Sequence, residues 1–366
     1  MNTELELYHH GIKGQKWGVR RFQNEDGSYT QAGRERYGYG VRKRYSLEKI
    51  APARRRAVDK IVAAYEKTKV SVALSKSPVG KKYVDTYLDL DTSIFRIQSN
   101  DTFENFAFYA TYKQHDVDEY AGLFGKNLRS KANAAARQAE KEAQRTGDDT
   151  EAKRLREIAD SMNIYQLQIK NTDRLNVPSE ENCGRIISEL VKDKQFKEDL
   201  DYALRNAQSK MKRPSQQILF KNSIASLNKN DSSSLKNSDL TSIYRALNLS
   251  LTNHDAREVR MQDKFYGALK QNGYSALLDL NDSAYSSYHA HSPVIVFDTD
   301  KVKLQSVSKM DNNRIETLYK KYNAERIRKE IPEQAIGILS KYGSMQLDKA
   351  FDSLSDYWND YLGAKR

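Results

Sequence analysis

Apolar residues recur at three- and four-residue spacing along several stretches of the chain, which predicts amphipathic helices. After Ser46, which has the chemistry of an N-cap, Ile50, Ala57 and Ile61 fall on one face, and Pro52 lies near the first turn. The same reasoning predicts further helices over 116–160 with a break at Gly147, over 180–211, over 254–273, and over 310–366 with a break at Pro332.

Short runs rich in β-branched and aromatic residues predict strands between these helices. They cover residues 92–99, 105–112, 165–169, 274–280 and 293–304. The Ser-, Asn- and Lys-rich stretch from 222 to 242 predicts a solvated loop. The fold class expected from this order is α+β, mostly helical, with a small mixed sheet.

Composition restricts the class of protein further. The 366 residues include 38% hydrophobic and 30% charged residues, and the net charge is +12. No stretch reaches the roughly 20 apolar residues that span a bilayer, and the first residues lack the apolar core of a secretory signal, so we expect no membrane partner. The single cysteine, Cys183, fits a reducing compartment, and on a helix it is more readily a buried structural residue than a nucleophile.

The positive charge is concentrated near the N-terminus. Residues 1–60 hold 14 basic and 7 acidic residues, a net +7 of the total +12. Frequent glycines, together with Asp26-Gly27, predict an irregular segment there. We therefore expect a basic docking arm over 1–45, a helical connector over 46–85, an α+β core over 86–308 and C-terminal helices over 309–366.

Common catalytic motifs are missing from the sequence: there is no phosphate loop, dinucleotide fingerprint, nucleophile elbow or HExxH zinc motif. His289 and His291 form a half-site for a metal, but no third ligand is placed for them, so exposed loop histidines are the expectation. His115 precedes Glu119 by four residues, which indicates an ordinary pair on a helix surface. No metal is predicted.

The segment from Tyr8 to Gly38, with HHGIKGQKWGVRR followed by NEDGS and AGRERYG, resembles a short module of tailed-bacteriophage and prophage proteins of Firmicutes. This resemblance implies a phage origin and association with head or other virion proteins. Cations alternate there with aromatic rings, which suits docking on a protein partner, and DNA binding is an alternative. The candidate docking residues are His10, Lys13, Lys16, Trp17, Arg20, Arg21 and Phe22.

The segments around Arg96, around Tyr109 and Thr111, and over 273–304 resemble the ADP-ribosyltransferase-like cores of phage and toxin proteins. The resemblance implies NAD as a candidate cofactor, with Arg96, Tyr109 and Thr111 as candidate NAD-binding residues. The family's catalytic Glu is missing, because Ser292-Pro293 stands in its place. Asp279 and Asp282 are the nearest carboxylates and become the candidate catalytic residues if the following loop folds back.

Two functions of different classes follow. The first is a structural or cargo protein of the phage virion, with DNA binding inside the capsid as a variant. The second is an NAD-dependent effector that modifies a host protein. The corresponding locations are the virion and the host bacterial cytoplasm.

Overall fold

The computed structural model describes residues 52–103, 106–229, 235–251, 255–286, 288 and 290–342. Contacts divide the chain into two units, Met1–Ala51 and Pro52–Arg366, and every described residue belongs to the second. The boundaries expected at 85/86 and 308/309 do not separate compact units. The N-cap expected at Ser46 lies outside the described residues.

Helices make up most of this second unit. Their bounds are α1 (Pro52–Lys76), α2 (Gln114–Thr146), α3 (Thr150–Ser161), α4 (Glu180–Leu190), α5 (Lys194–Lys210), α6 (Pro214–Leu227), α7 (Asn237–Ser250), α8 (Ala256–Gln271) and α9 (Asn312–Tyr342). The break expected at Gly147 is confirmed: this residue has a φ of +81°, which glycine adopts without steric cost, and α2 ends there.

The strands form one six-stranded sheet and one pair. The strands are β1 (Thr86–Leu88), β2 (Ser93–Gln98), β3 (Phe108–Thr111), β4 (Tyr165–Asn171), β5 (Leu175–Val177), β6 (Ala276–Leu278), β7 (Pro293–Val296) and β8 (Val302–Lys309). The sheet order is β6-β7-β3-β2-β4-β8, and β1 pairs with β5. The α+β class is confirmed, whereas the pairings within the described residues are antiparallel rather than mixed.

The two faces of the sheet pack on different clusters, because successive side chains of a strand point to opposite faces. Phe108 packs with Ile94 and Leu167 in one core cluster. Its neighbour Tyr109 packs instead against the larger cluster that helices α4 to α8 share with Ile295. A side chain on β3 therefore belongs to one face or the other, and this decides which predicted site residues can meet.

One helix predicted over 180–211 is in fact two. Residues Val191–Asp193 separate α4 from α5, and the Asp193 side chain caps α5 by accepting the backbone N–H groups of Gln195 and Phe196. The predicted solvated loop over 222–242 is also too long. Helix α6 continues to Leu227, which is buried, so apolar packing there overrides the polar composition.

The break predicted at Pro332 is wrong, because α9 runs without interruption from Asn312 to Tyr342. A proline inside a helix removes one backbone hydrogen bond and costs about 3 kcal/mol. Here the following turn is held by tertiary contacts. Glu333 is buried and pairs with Lys69 of α1, while Ala335 and Ile336 pack on the same helix.

Candidate functional site

Three chain segments meet at one end of the six-stranded sheet. Thr111, at the end of β3, pairs with Pro293 at the start of β7, and Leu278, at the end of β6, pairs with Val294. Helix α2 follows β3, and a π-helical turn, Asn281–Tyr285, follows β6. The side chains that gather there form the sheet-end cluster: His115, Asp116, Glu119, Tyr120, Asp279, Asp282 and His291.

Asp116 ties the first turn of α2 to the segment before β7, and it is fully buried. Its Oδ2 accepts the backbone N–H of Ser292 at 2.8 Å and the hydroxyl of Thr111 at 3.0 Å, while Oδ1 accepts the backbone N–H of His291 at 3.1 Å. Burial alone would raise the pKa of Asp116, but these bonds and the His291 ring lower it to about 2. Asp116 is therefore ionised at neutral pH.

Two imidazole rings face the same oxygen of Asp116. Nδ1 of His291 lies 3.2 Å from Oδ1, and Nδ1 of His115 lies 3.5 Å from it. The ring centroids are 4.8 Å apart, and the His115 ring also contacts Tyr322 of α9 edge to face. The surface pair expected between His115 and Glu119 is therefore wrong, because His115 faces Asp116 and His291 instead.

Asp279 and Asp282 form a second pair of carboxylates. The backbone N–H of Asp282 donates to Oδ1 of Asp279 at 3.2 Å, and the Tyr120 hydroxyl donates to Oδ2 of Asp282 at 2.8 Å. The loop folds back on this pair, since Ala290 donates its N–H to the carbonyl of Asp282. Burial raises the pKa of both carboxyls, and the charge of Asp282 raises that of Asp279 further.

Glu119 completes the cluster on the side of α9. It is 1% exposed and pairs with Lys329 at 3.3 Å, and Lys329 also donates to the carbonyl of Tyr288 at 3.1 Å. Burial raises the pKa of Glu119 to about 7, because the neighbouring Lys329 offsets only part of the desolvation. A carboxyl that titrates near neutral pH can accept or release a proton.

The predicted NAD-binding residues do not converge. Tyr109 lies close enough to Asp279 and Asp282 for their charges to raise its pKa, after the larger effect of burial. Thr111 is buried and bonded to Asp116. Arg96 is on the other face of the sheet, where its guanidinium lies 5.8 Å from the centre of the Phe108 ring. The five candidate residues, Arg96, Tyr109, Thr111, Asp279 and Asp282, therefore do not share one site with a cation for the diphosphate of NAD. They do not fit NAD in the way that the resemblance implies.

Other sequence predictions have simpler outcomes. Cys183 is fully buried, and burial raises the pKa of its thiol, so the expectation of an inert structural cysteine is confirmed. His289, His254 and the docking residues between His10 and Phe22 lie outside the described residues. Within the described ranges, none of the helices has the length and apolar character that crossing a membrane requires.

Few features of the sequence indicate the histidine cluster. His115 and Asp116 are separated from His291 by about 175 residues, and they meet only because β3 and β7 are neighbours. The paired histidines at 289 and 291 were the one signal, and its missing partners lie on another element. A prediction that β3 pairs with β7, in the correct register, would have placed His115 and Asp116 beside His291.

Comparison with known proteins places a match only at the start of the chain. Residues 1–24 match the Family of unknown function (DUF7211). This range contains all the candidate docking residues. No curated protein and no solved structure matches the chain.

Proposed function

We propose that this chain is a virion-associated phage protein whose basic arm, residues 1–45, docks the α+β body onto a partner protein of the particle. The observation that carries the proposal is the uneven charge: residues 1–45 hold 9 basic and 5 acidic residues, a net +4 of the total +12. A family match confined to residues 1–24 supports a module that is separable from the body.

The chemistry of the arm favours a protein partner with an acidic, partly apolar surface. Trp17 and Phe22 supply the large apolar area that dominates binding energy at protein interfaces. Lys13, Lys16 and Arg20 supply charges that speed the encounter and fix orientation. Flat rings between cations also suit nucleic acid, so DNA is the competing partner.

Incorporation into particles tests the proposal. Phage particles assembled with the full chain are compared with particles assembled with a chain lacking residues 1–45, by quantitative mass spectrometry of purified virions. We expect the truncated chain to be depleted at least tenfold. A Trp17→Ala/Phe22→Ala chain should be depleted almost as strongly, whereas Tyr83→Ala, which changes an exposed ring of the body, should be incorporated normally.

The results of these experiments distinguish a protein partner from DNA. Normal incorporation of the truncated chain would contradict the docking proposal. If the arm binds DNA instead, the affinity of the full chain for duplex DNA should fall steeply with salt, because each phosphate contact releases a counterion. A weak salt dependence would exclude that alternative.

The transferase alternative has less support. Tyr109, Asp279 and Asp282 lie together, which favours a polar site, but Arg96 lies on the opposite face. Labelled NAD incubated with host lysate and the full chain tests it. Transfer of label that an Asp282→Asn chain loses would establish the enzyme, and we expect no transfer.

A further inference from the structure

We propose that His115, Asp116 and His291 bind one divalent transition-metal cation, with zinc as the ion that their chemistry suits best. This site goes beyond the docking function and does not depend on it. Its three ligand atoms are Nδ1 of each histidine and Oδ1 of Asp116. They come from α2 and from the segment that leads into β7.

The spacing of the ligand atoms fits a tetrahedral ion. Zinc binds histidine nitrogen at about 2.0–2.1 Å and carboxylate oxygen at about 2.0–2.2 Å, so two ligands of one tetrahedral ion lie roughly 3.4 Å apart. The two distances from Oδ1 of Asp116 are 3.2 Å to His291 and 3.5 Å to His115. One atom from each of the three residues lies within 4.8 Å of the others, so small ring rotations complete the site.

The carboxylate is held in place before any ion binds. Asp116 is fully buried, and Ser292, Thr111 and the backbone of His291 donate hydrogen bonds to it. Such outer partners orient a metal-binding carboxylate and keep it from rotating away. They leave Oδ1 directed at both rings, which is the arrangement that an ion between the three groups requires.

The rings are accessible from solvent while the carboxylate is not. The side chains of His115 and His291 are 41% and 38% exposed, respectively, whereas Asp116 is buried. An ion can therefore enter from the side of the rings and keep a water molecule as its fourth ligand. Two nitrogens and one oxygen suit zinc and its neighbours, whereas magnesium and calcium prefer oxygen ligands alone.

Metal titration of the full chain without a polyhistidine tag tests the proposal. After treatment with a chelator, Zn²⁺ binding is measured by calorimetry, and Co²⁺ binding by its visible absorption spectrum. We expect one ion per chain and the intense visible bands of four-coordinate cobalt. His115→Gln and His291→Gln should each weaken binding by about 100-fold or more, since loss of even an outer partner typically costs 10–100-fold.

Matched controls distinguish this site from other histidines. His254→Gln makes the same chemical change elsewhere and should leave the affinity unchanged. Glutamine keeps a polar group in each ring position, and unchanged circular dichroism without metal shows that each variant is folded. His115→Ala and His291→Ala provide a second set if glutamine itself retains weak binding.

Three results would overturn the proposal. The first is the absence of saturable binding, in which case the three groups form a hydrogen-bonded cluster without an ion. The second is binding that survives substitution of both histidines, which would place the ion elsewhere in the chain. The third is equal loss of affinity in the His254→Gln control.

Discussion

Two clusters of buried ionisable groups differ in how their charges are compensated. The Arg245 network consists of Glu66, Lys69, Glu180, Arg245, Tyr285 and Glu333. Arg245 binds both oxygens of Glu180 at 2.8 Å and lies 3.6 Å from Glu66, so cations and carboxylates alternate. In the sheet-end cluster, Asp279 and Asp282 have no lysine or arginine as a hydrogen-bond partner among the described residues.

The difference indicates which cluster serves the fold and which is available for chemistry. A bidentate arginine pair neutralises its carboxylates at a fixed geometry, and removing one partner leaves an uncompensated buried charge. Asp279 and Asp282 have no cation partner, and burial raises the pKa of both carboxyls. Burial also raises the pKa of Glu119, because Lys329 offsets only part of the desolvation. Perturbed carboxyls beside histidines and a tyrosine are typical of functional sites, so the sheet-end cluster is the candidate site for chemistry within the α+β body.

The largest effect is expected when the Arg245 network is broken. Arg245→Ala leaves Glu180 and Glu66 buried without their cation and should lower the free energy of unfolding by about 3–5 kcal/mol. Urea denaturation followed by circular dichroism measures this. The side chain of Arg245 is only 9% exposed, so solvent cannot replace the lost partner.

An exposed pair provides the control. Arg205→Ala removes an i,i+4 pair with Asp201 on the surface of α5 and should change the free energy of unfolding by no more than about 0.5 kcal/mol. If the two substitutions destabilise the protein equally, the Arg245 network has no special role in the fold.

A second, smaller effect is expected where α2 approaches α9. Gly122 of α2 has no room for a side chain, because a Cβ there would lie 2.7 Å from the backbone of Leu318 and Tyr319. Gly122→Ala should therefore push the helices apart and cost about 1–3 kcal/mol in unfolding free energy. His115 and Lys329 lie along the same contact, so the imidazole NMR signals of the sheet-end cluster should shift.

Gly267 is the matched control for this prediction. A Cβ at Gly267 of α8 meets nothing within 4 Å, so Gly267→Ala should stabilise the protein by about 0.5–1 kcal/mol through its better helix propensity. If both substitutions change the free energy of unfolding in the same direction, close packing of α2 on α9 is not what positions the sheet-end cluster.

Local signals predicted some of the helices and strands. The β-branched and aromatic residues of 92–99 predicted β2, the glycine at 147 predicted the end of α2, and the helix predicted over 254–273 is α8, Ala256–Gln271. These features depend on neighbours in the sequence. The continuation of α9 through Pro332 was missed because it depends on a buried pair between Glu333 and Lys69, which are 264 residues apart.

The candidate site was predictable only in part, because it too depends on contacts between residues that are far apart in the sequence. Asp279 and Asp282 were named as the carboxylates nearest the position of the Glu that the ADP-ribosyltransferase resemblance implies, and the structure places them in the sheet-end cluster. Arg96 was assigned to the same site, but strand alternation places it against Phe108 on the other face. The pairing of Asp116 with His291 requires the register of β3 and β7, which local periodicity does not contain.

The smallest effect is expected from a change that removes charge from the sheet-end cluster. In the folded chain the pKa of Asp282 is raised by burial, so between its unfolded value of about 3.8 and that raised pKa the folded state binds more protons than the unfolded state. Stability is therefore lost as pH rises above about 4. Asp282→Asn does not titrate and can still accept the hydrogen bond of Tyr120.

We therefore expect Asp282→Asn to stabilise the protein at pH 8, where the buried carboxylate would otherwise lose its proton, and to have little effect near pH 4. Unfolding in urea at both pH values measures the difference, and Asp300→Asn, at an exposed position, should show no such pH dependence. The direction of the change in unfolding free energy distinguishes the two clusters. Removing a charge from the sheet-end cluster stabilises the protein, whereas removing Arg245 destabilises it. Destabilisation by Asp282→Asn at pH 8 would show that the charges of the sheet-end carboxylates are compensated and would remove the argument for a chemical site there.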